Sequence, residues 1–313
     1  MAAPVWTSAA LSSDEQAWRS ADKPLMAVQS IPVAPTVCRW SEIGAITSTD
    51  RTATGYPTSR AFDGKPHLVT KPDTTVSNNW YLTFDFGKGI EFDSLFIIGH
   101  NFGTLGLLGV TLEIDDGNPN PGDTPDGTFT NTKVVGSITS FPDDTRLIDG
   151  VLKHTGSDPL RYSDVQYARL RMAKGSAITP QLGQVYFARR YQLQYKPNLE
   201  FDPDNLQIDN DIIKSRGGVK SKYVHSMGEY DLSASFTPDD SSRITDFINF
   251  YKADYGRRPF IWSYDPSTDS DGWRLMVLES ALNTPMVNSS QRKISIEATE
   301  QGPERFYLAR EGV

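Results

Sequence analysis

The stretch Trp80-Tyr-Leu-Thr-Phe-Asp-Phe86 alternates apolar and more polar residues with a period of two. Successive side chains of a β-strand point to opposite faces, so the four apolar residues at the even positions predict the core side of a sheet. The nearby stretch Ser94-Leu-Phe-Ile-Ile98 is continuously apolar, which is typical of a strand covered on both faces. These two stretches predict a mostly β fold.

Further short runs rich in Val, Ile, Thr, Tyr and Phe are separated by Gly, Pro, Asn and Asp, which also indicates strands. The predicted strands lie over 110–114, 167–172, 184–187, 221–225, 230–236, 259–262, 273–278 and 293–298. One helix is predicted over 241–255, because Ile244, Phe247, Ile248, Tyr251 and Tyr255 form one apolar stripe that ends before Gly256. We therefore divide the chain into an arm (1–24), a β-sandwich (25–190) and a second β-domain with one packed helix (191–313).

Composition excludes several function classes. The chain has 313 residues, 31 Lys and Arg against 39 Asp and Glu, and a net charge of −8, which argues against a nucleic-acid binder. No apolar run reaches the length of a membrane helix, and the N-terminus has no secretory signal pattern. Cys38 is the only cysteine, so a disulfide framework and a cysteine zinc cluster are excluded, and no cofactor is expected.

The sequence predicts no enzyme. Its four histidines (His67, His100, His154 and His225) are too far apart for a local metal motif, and neither a Gly-x-Ser-x-Gly elbow nor a P-loop is present. Carboxylate pairs fall in predicted loops or at the helix start, where solvation and capping explain them. A glycan hydrolase stays open as an alternative, because two carboxyl groups across a cleft cannot be recognised by their spacing in the sequence.

The first half resembles the galactose-binding-like (discoidin-type) jelly roll. The resemblance rests on Ser59-Arg-Ala-Phe-Asp-Gly64, on Asn79-Trp-Tyr-Leu-Thr-Phe-Asp-Phe-Gly-Lys88 and on the closing strands over 167–171 and 182–187. It implies a jelly-roll sandwich that contacts glycans through loops at one end, with His67, Asn78 and Asn79 as candidate contacts. Members that hold calcium behind the Ala-Phe-Asp-Gly turn usually have another acidic residue next, whereas this chain has Lys65. We therefore expect no metal site, with Asp63 as the one candidate ligand.

The second half resembles distal tail and minor tail proteins of long-tailed bacteriophages, which are built on the tail-tube fold. The carrying stretches are Ser215-Arg-Gly-Gly218, Phe250-Tyr-Lys-Ala-Asp-Tyr-Gly256, Arg257-Arg-Pro-Phe-Ile-Trp262 and Gly272-Trp-Arg274. The resemblance implies a structural virion protein of the tail tip, assembled in the host cytoplasm as a ring, typically a hexamer. Candidate assembly residues are Gly217, Gly218, Phe247, Tyr251, Arg257 and Arg258.

The implied partners are other copies of the chain, the tail tube protein, and the tape-measure and tail-hub proteins. Contact with host surface carbohydrate is a second expected role, and neither specific nucleic-acid binding nor a membrane span is expected. The alternative function is a lectin-like carbohydrate-binding module without a virion role. The sequence thus leaves three classes open: a virion structural protein, a carbohydrate-binding module and, third, a glycan hydrolase.

Overall fold

The structure is a computed structural model of the whole chain. It describes residues 25–29, 35–65, 68–73, 79–92, 94–103, 105, 109–115, 126–130, 132–138, 148–151, 162–173, 179–192, 206–207, 210–214, 220–224, 229–236, 248, 259–263, 274–279 and 293–300. The chain divides into two compact units. Unit 1 comprises Met1–Asp22, Ala27–Arg190 and Pro266–Trp273, and unit 2 comprises Lys23–Met26, Tyr191–Asp265 and Arg274–Val313.

The described part of the chain contains sixteen strands and one short 3₁₀ helix (Thr58–Phe62). The strands are β1 (Leu25–Gln29), β2 (Val37–Ser41), β3 (Trp80–Phe92), β4 (Ser94–Ile98), β5 (Gly109–Asp115), β6 (Thr132–Ile138), β7 (Ile148–Val151), β8 (Tyr162–Ala173), β9 (Gln184–Gln192), β10 (Leu206–Gln207), β11 (Asn210–Lys214), β12 (Lys220–Val224), β13 (Glu229–Phe236), β14 (Phe260–Ser263), β15 (Arg274–Leu278) and β16 (Ile294–Glu300). The mostly β prediction is therefore confirmed.

Unit 1 contains a five-stranded antiparallel sheet in the order β2-β3-β8-β5-β6, and strand β4 pairs with both β9 and β7. Side chains from the five-stranded sheet pack against those of β4 and β9 in one core. The Phe84 and Phe92 rings of β3 lie 5.3 and 5.1 Å from the Phe187 ring of β9. The sandwich predicted for this half is therefore present, and its core lies between these two layers.

The predicted faces of the two decisive stretches are confirmed. Trp80, Leu82, Phe84 and Phe86 are all buried, whereas Tyr81 and Asp85 between them are half-buried. All five residues of β4 are buried, as expected of a strand covered on both faces. At roughly 1.5–3 kcal/mol for each fully buried large apolar side chain, these residues contribute much of the stability of unit 1.

The outer face of the five-stranded sheet carries a buried charge cluster. Glu113 of β5 pairs with Arg169 of β8 (Nε to Oε2, 2.6 Å) and with Arg171 of the same strand (Nε to Oε1, 3.0 Å). The Arg169 guanidinium also lies between two aromatic rings, 4.8 Å from the centroid of Tyr81 and 4.4 Å from that of Phe129. Glu113 is only 4% exposed, so its charge depends on the two arginines for compensation.

Unit 2 contains an antiparallel sheet in the order β10-β13-β16-β15-β14 and a separate β11-β12 pair. Alternate residues of β13 and β16 face one core, because Leu232, Ala234 and Phe236 lie directly opposite Ala298, Ile296 and Ile294. Phe236 also packs against Trp262 of β14, with ring centroids 6.5 Å apart. The strands predicted in this half are confirmed.

The predicted helix over 241–255 lies outside the described residues, except Ile248, which is helical. The N-terminal arm also lies outside them. Among the described residues, no helix is long and apolar enough to cross a membrane.

Candidate functional site

The loop between β2 and β3 forms a surface at one edge of unit 1. We call it the 51–73 surface and define it by five side chains that lie on it: Arg51, Tyr56, Arg60, Lys71 and Asp73. Two segments of the loop run antiparallel and bring these residues together. The Ala53 amide donates to the Lys71 carbonyl (3.0 Å) and the Asp73 amide donates to the Arg51 carbonyl (2.7 Å).

A buried relay of hydrogen bonds fixes this surface to the core. The Trp40 indole Nε1 donates to the Thr70 hydroxyl (2.9 Å), which in turn donates to the Tyr56 carbonyl (3.0 Å). Backbone hydrogen bonds also join Thr70 to Leu182 in both directions. Trp40 and Thr70 are both 0% exposed, so these bonds are shielded from competition with water. The Tyr56 and Thr70 segments are therefore anchored to the core.

Arg51 is the most connected charged group of the 51–73 surface. Its guanidinium forms an ion pair with Glu42 and a second one with Asp73 (Nη2 to Oδ1, 3.1 Å). It also lies 5.6 Å from the ring centroid of Trp80, the buried residue that begins β3. Ion pairs to two carboxylates and contact with an aromatic face restrict this planar side chain to one orientation.

Tyr56 holds the two other cations of the surface. The Lys71 ammonium lies 3.8 Å from the centroid of the Tyr56 ring, and the Arg60 guanidinium lies 5.5 Å from it. Arg60 Nη1 additionally donates to the Val69 carbonyl (3.2 Å). A cation within about 6 Å of an aromatic face is attracted by the ring quadrupole, so Tyr56 positions both groups.

The predicted glycan-contact residues are only partly described. His67 and Asn78 lie outside the described residues. Asn79 is half-buried and directly precedes Trp80, over which the Arg51 guanidinium lies. The six predicted assembly residues, Gly217, Gly218, Phe247, Tyr251, Arg257 and Arg258, all lie outside the described residues, so the structure does not place them.

Asp63, the candidate calcium ligand, is bound by protein donors. Its Oδ1 accepts from the Lys65 amide (2.8 Å) and from Nε2 of Gln184 (3.0 Å). The same Gln184 amide nitrogen donates to the Arg60 carbonyl (3.2 Å). The Gln184 amide nitrogen therefore donates to two oxygens of this turn, the Asp63 Oδ1 and the Arg60 carbonyl. Within the described part of the chain, no group of three or more His, Cys, Asp or Glu is arranged to hold a metal.

The Cys38 thiol and the His100 imidazole are both held in their uncharged forms. Burial and the negative charge of Asp50 raise the pKa of the Cys38 thiol well above its ordinary value, which disfavours the thiolate. Burial lowers the pKa of His100 to about 3, so its imidazole is neutral at physiological pH. His100 Nδ1 accepts from the Phe102 amide (3.3 Å) and its ring stacks on Phe102.

Sequence reasoning missed Arg51, Tyr56, Arg60, Lys71 and Asp73. The pairing that assembles them joins segments about twenty positions apart through a loop without apolar periodicity. One signal is present in the sequence: residues 51–71 contain one tyrosine and four Lys or Arg residues.

Comparisons with known proteins give structural neighbours but no family. No family model matches the chain, and no curated protein matches it. Among solved structures, the chain is similar to chitosan-binding module 1 of a chitosanase/glucanase from Paenibacillus sp. IK-5 (16% identity, 51% of this chain, 96% of that chain, TM-score 0.33). It is also similar to the family 32 carbohydrate-binding module of NanJ from C. perfringens, solved with galactose (11% identity, 53% and 99% of the chains, TM-score 0.32).

A third similar structure is CpGH89CBM32-5 from Clostridium perfringens, solved with GalNAc-β-1,3-galactose (11% identity, 49% of this chain, 94% of that chain, TM-score 0.32). The structural neighbours are therefore carbohydrate-binding modules, and nothing in the comparisons supports a phage tail-tip protein. Similarity at this level assigns neither a ligand nor a binding residue to this chain.

Proposed function

We propose that unit 1 is a carbohydrate-binding module whose ligand contacts the 51–73 surface. The observation that carries the proposal is the arrangement of Arg51, Tyr56, Arg60, Lys71 and Asp73 on a loop that the Trp40–Thr70–Tyr56 relay fixes to the core. Asp73 is exposed and the other four residues are half-buried, and together they combine one aromatic ring with charged donors and acceptors.

Sugar recognition requires this combination of groups. Each sugar hydroxyl is both a donor and an acceptor, so neighbouring cationic and anionic side chains satisfy it with charge-assisted hydrogen bonds. The Tyr56 ring, which carries the Lys71 ammonium 3.8 Å from its centroid, contributes by positioning that cation. Because Arg51 and Asp73 are already oriented by their mutual ion pair, binding would freeze fewer side-chain rotamers and lose less entropy.

The tail-tip role predicted for 191–313 stays a prediction. Its candidate assembly residues lie outside the described residues, and the comparisons support the carbohydrate-binding alternative better than a virion role. The two functions occupy different parts of the chain and are not exclusive. Absence of catalytic activity is likewise still a prediction.

A glycan array tests the proposal with the full chain and two matched variants. Tyr56→Ala removes the ring that positions Lys71 and Arg60, whereas Tyr167→Ala removes a half-buried tyrosine of the outer sheet face. We expect the wild-type chain and Tyr167→Ala to bind the same glycans and Tyr56→Ala to lose at least about tenfold in affinity, as removal of a central aromatic contact often does. Failure of the wild-type chain to bind any glycan, or equal loss in both variants, would contradict the proposal.

A further inference from the structure

The 51–73 surface borders a further segment of the chain. Thr70 lies opposite Leu182 in an antiparallel bridge, in which the amide of each residue donates to the carbonyl of the other (2.8 and 3.2 Å). The pairing of 51–53 with 71–73 lies on the other side of the Thr70 segment. The Thr70 segment is therefore the middle one of three short antiparallel segments, and 181–182 is the third.

The register of these segments places Gln181 beside Lys71 on the outward face. Thr70 and Leu182 are both 0% exposed and face the core, so the adjacent residue of each segment faces outward. Because Thr70 lies opposite Leu182 in an antiparallel pair, Lys71 lies opposite Gln181, and directly opposite residues have Cβ atoms about 5 Å apart. Both residues are half-buried. Gln181 therefore continues the 51–73 surface onto the third segment.

The backbone of Gln181 is held in position by Asn101. The Gln181 amide donates to Asn101 Oδ1 (2.8 Å), and the Asn101 amide donates to the Gln181 carbonyl (3.4 Å). Within the part of the chain that the structure describes, no hydrogen bond joins the Gln181 side-chain amide to another residue. A fixed backbone thus carries one side chain whose NH₂ group can donate and whose oxygen can accept.

We propose that the carbohydrate bound at the 51–73 surface is an oligosaccharide that extends past Lys71, and that the Gln181 side-chain amide contacts its second sugar unit. This inference rests on the proposed function and adds the length of the ligand and a specificity-determining residue. Neighbouring antiparallel segments are about 4.8 Å apart, so the two outer segments are separated by about 10 Å, more than the width of one pyranose ring. A ligand that lies across all three segments is therefore longer than a monosaccharide. The amide of Gln181 offers the donor and the acceptor that a sugar hydroxyl requires.

Calorimetric titrations of the full chain test the inference with three pairs of neutral probes. Each pair is a monosaccharide and its β-1,4-linked trisaccharide: galactose with galactotriose, glucose with cellotriose, and N-acetylglucosamine with triacetylchitotriose. The same titrations are made with Gln181→Ala and with Gln166→Ala, a control that removes a half-buried glutamine amide of β8. We expect the wild-type chain to bind at least one trisaccharide at least about fivefold more tightly than its monosaccharide. Gln181→Ala should lose about fivefold in affinity for that trisaccharide, the effect of one hydrogen bond, and less than about twofold for the monosaccharide, whereas Gln166→Ala should match wild type.

The outcomes separate this inference from the function on which it rests. Binding of each monosaccharide as tightly as its trisaccharide overturns the oligosaccharide ligand and leaves carbohydrate binding intact. A trisaccharide preference that survives in Gln181→Ala, or an equal loss in Gln181→Ala and Gln166→Ala, overturns the assignment to Gln181. Failure of all three trisaccharides to bind overturns this inference, and it overturns the proposed function as well only when the glycan array is also empty.

Discussion

Acidification should destabilise unit 1 through His100. The imidazole is 1% exposed, and burial lowers its pKa from 6.5 to about 3. Between these two values the unfolded chain binds a proton that the folded chain excludes, so stability rises with pH across this window and falls as the pH decreases. Above pH 6.5 the ring is mostly neutral in both the folded and the unfolded chain, so excluding the proton costs the folded state almost nothing.

The magnitude follows from the two pKa values. At about pH 5, a group with an unfolded pKa of 6.5 and a folded pKa of about 3 destabilises the folded state by about 2 kcal/mol relative to neutral pH. The greatest slope is about 1.4 kcal/mol per pH unit, since one proton is involved. Other groups of the chain also titrate here, so the wild-type curve alone does not isolate His100.

The assay compares wild type with His100→Asn by urea unfolding at about pH 7, 6 and 5. The asparagine side-chain oxygen can replace Nδ1 as acceptor for the Phe102 amide, and it does not titrate. We expect the stability difference between the two proteins to shift by about 2 kcal/mol in favour of the variant between about pH 7 and pH 5. A difference that stays constant across this range would refute the reasoning, whatever its value at neutral pH.

Three further substitutions test other parts of the account. Gly44→Ala and Gly55→Ala both place an alanine at positive φ (81° and 82°). Of the two, only the new Cβ at Gly44 would lie 2.6 Å from Arg169 Nη1, so in thermal or urea unfolding Gly44→Ala should cost about 1–3 kcal/mol more than Gly55→Ala. Equal costs would contradict the packing around Arg169. Glu113→Gln leaves the half-buried Arg169 without its counter-charge and should reduce the free energy of unfolding by about 3 kcal/mol, whereas a loss below about 0.5 kcal/mol would show that the pair is solvated. Calcium should not change the melting temperature of the wild-type chain. Gln184→Glu places a second carboxylate beside Asp63, so this variant should be less stable than wild type without calcium and regain stability with it. A wild-type melting temperature that depends on calcium would contradict the description of this turn.

The β-architecture could be predicted from the sequence because its signals are local. The alternation in 80–86 follows from the two-residue period of a strand, and the apolar run of 94–98 follows from burial on both faces. The register of these strands could not be predicted, because it depends on contacts between residues such as Tyr81 and Arg171, which are far apart in the chain. Local patterns determine which face is buried, and long-range pairing determines which side chains meet.

The candidate site was much less predictable for the same physical reason. Asp63 was recognised from its turn, but its partner Gln184 follows 121 positions later, and no local pattern joins them. Tyr56, Arg60 and Lys71 lie in a loop where polar residues are expected in any case. Only the pairing of 51–53 with 71–73, fixed by Trp40 and Thr70, turns them into one surface.

The most direct test of carbohydrate binding at the 51–73 surface is an amide chemical-shift titration of the full chain with the glycan that binds best in the array. Perturbed amides should concentrate in Arg51–Ala53, Tyr56, Arg60 and Val69–Asp73, the positions that carry the five side chains. Shifts concentrated instead on the outer sheet face around Thr83 and Arg171, or on the strands of unit 2, would contradict the account.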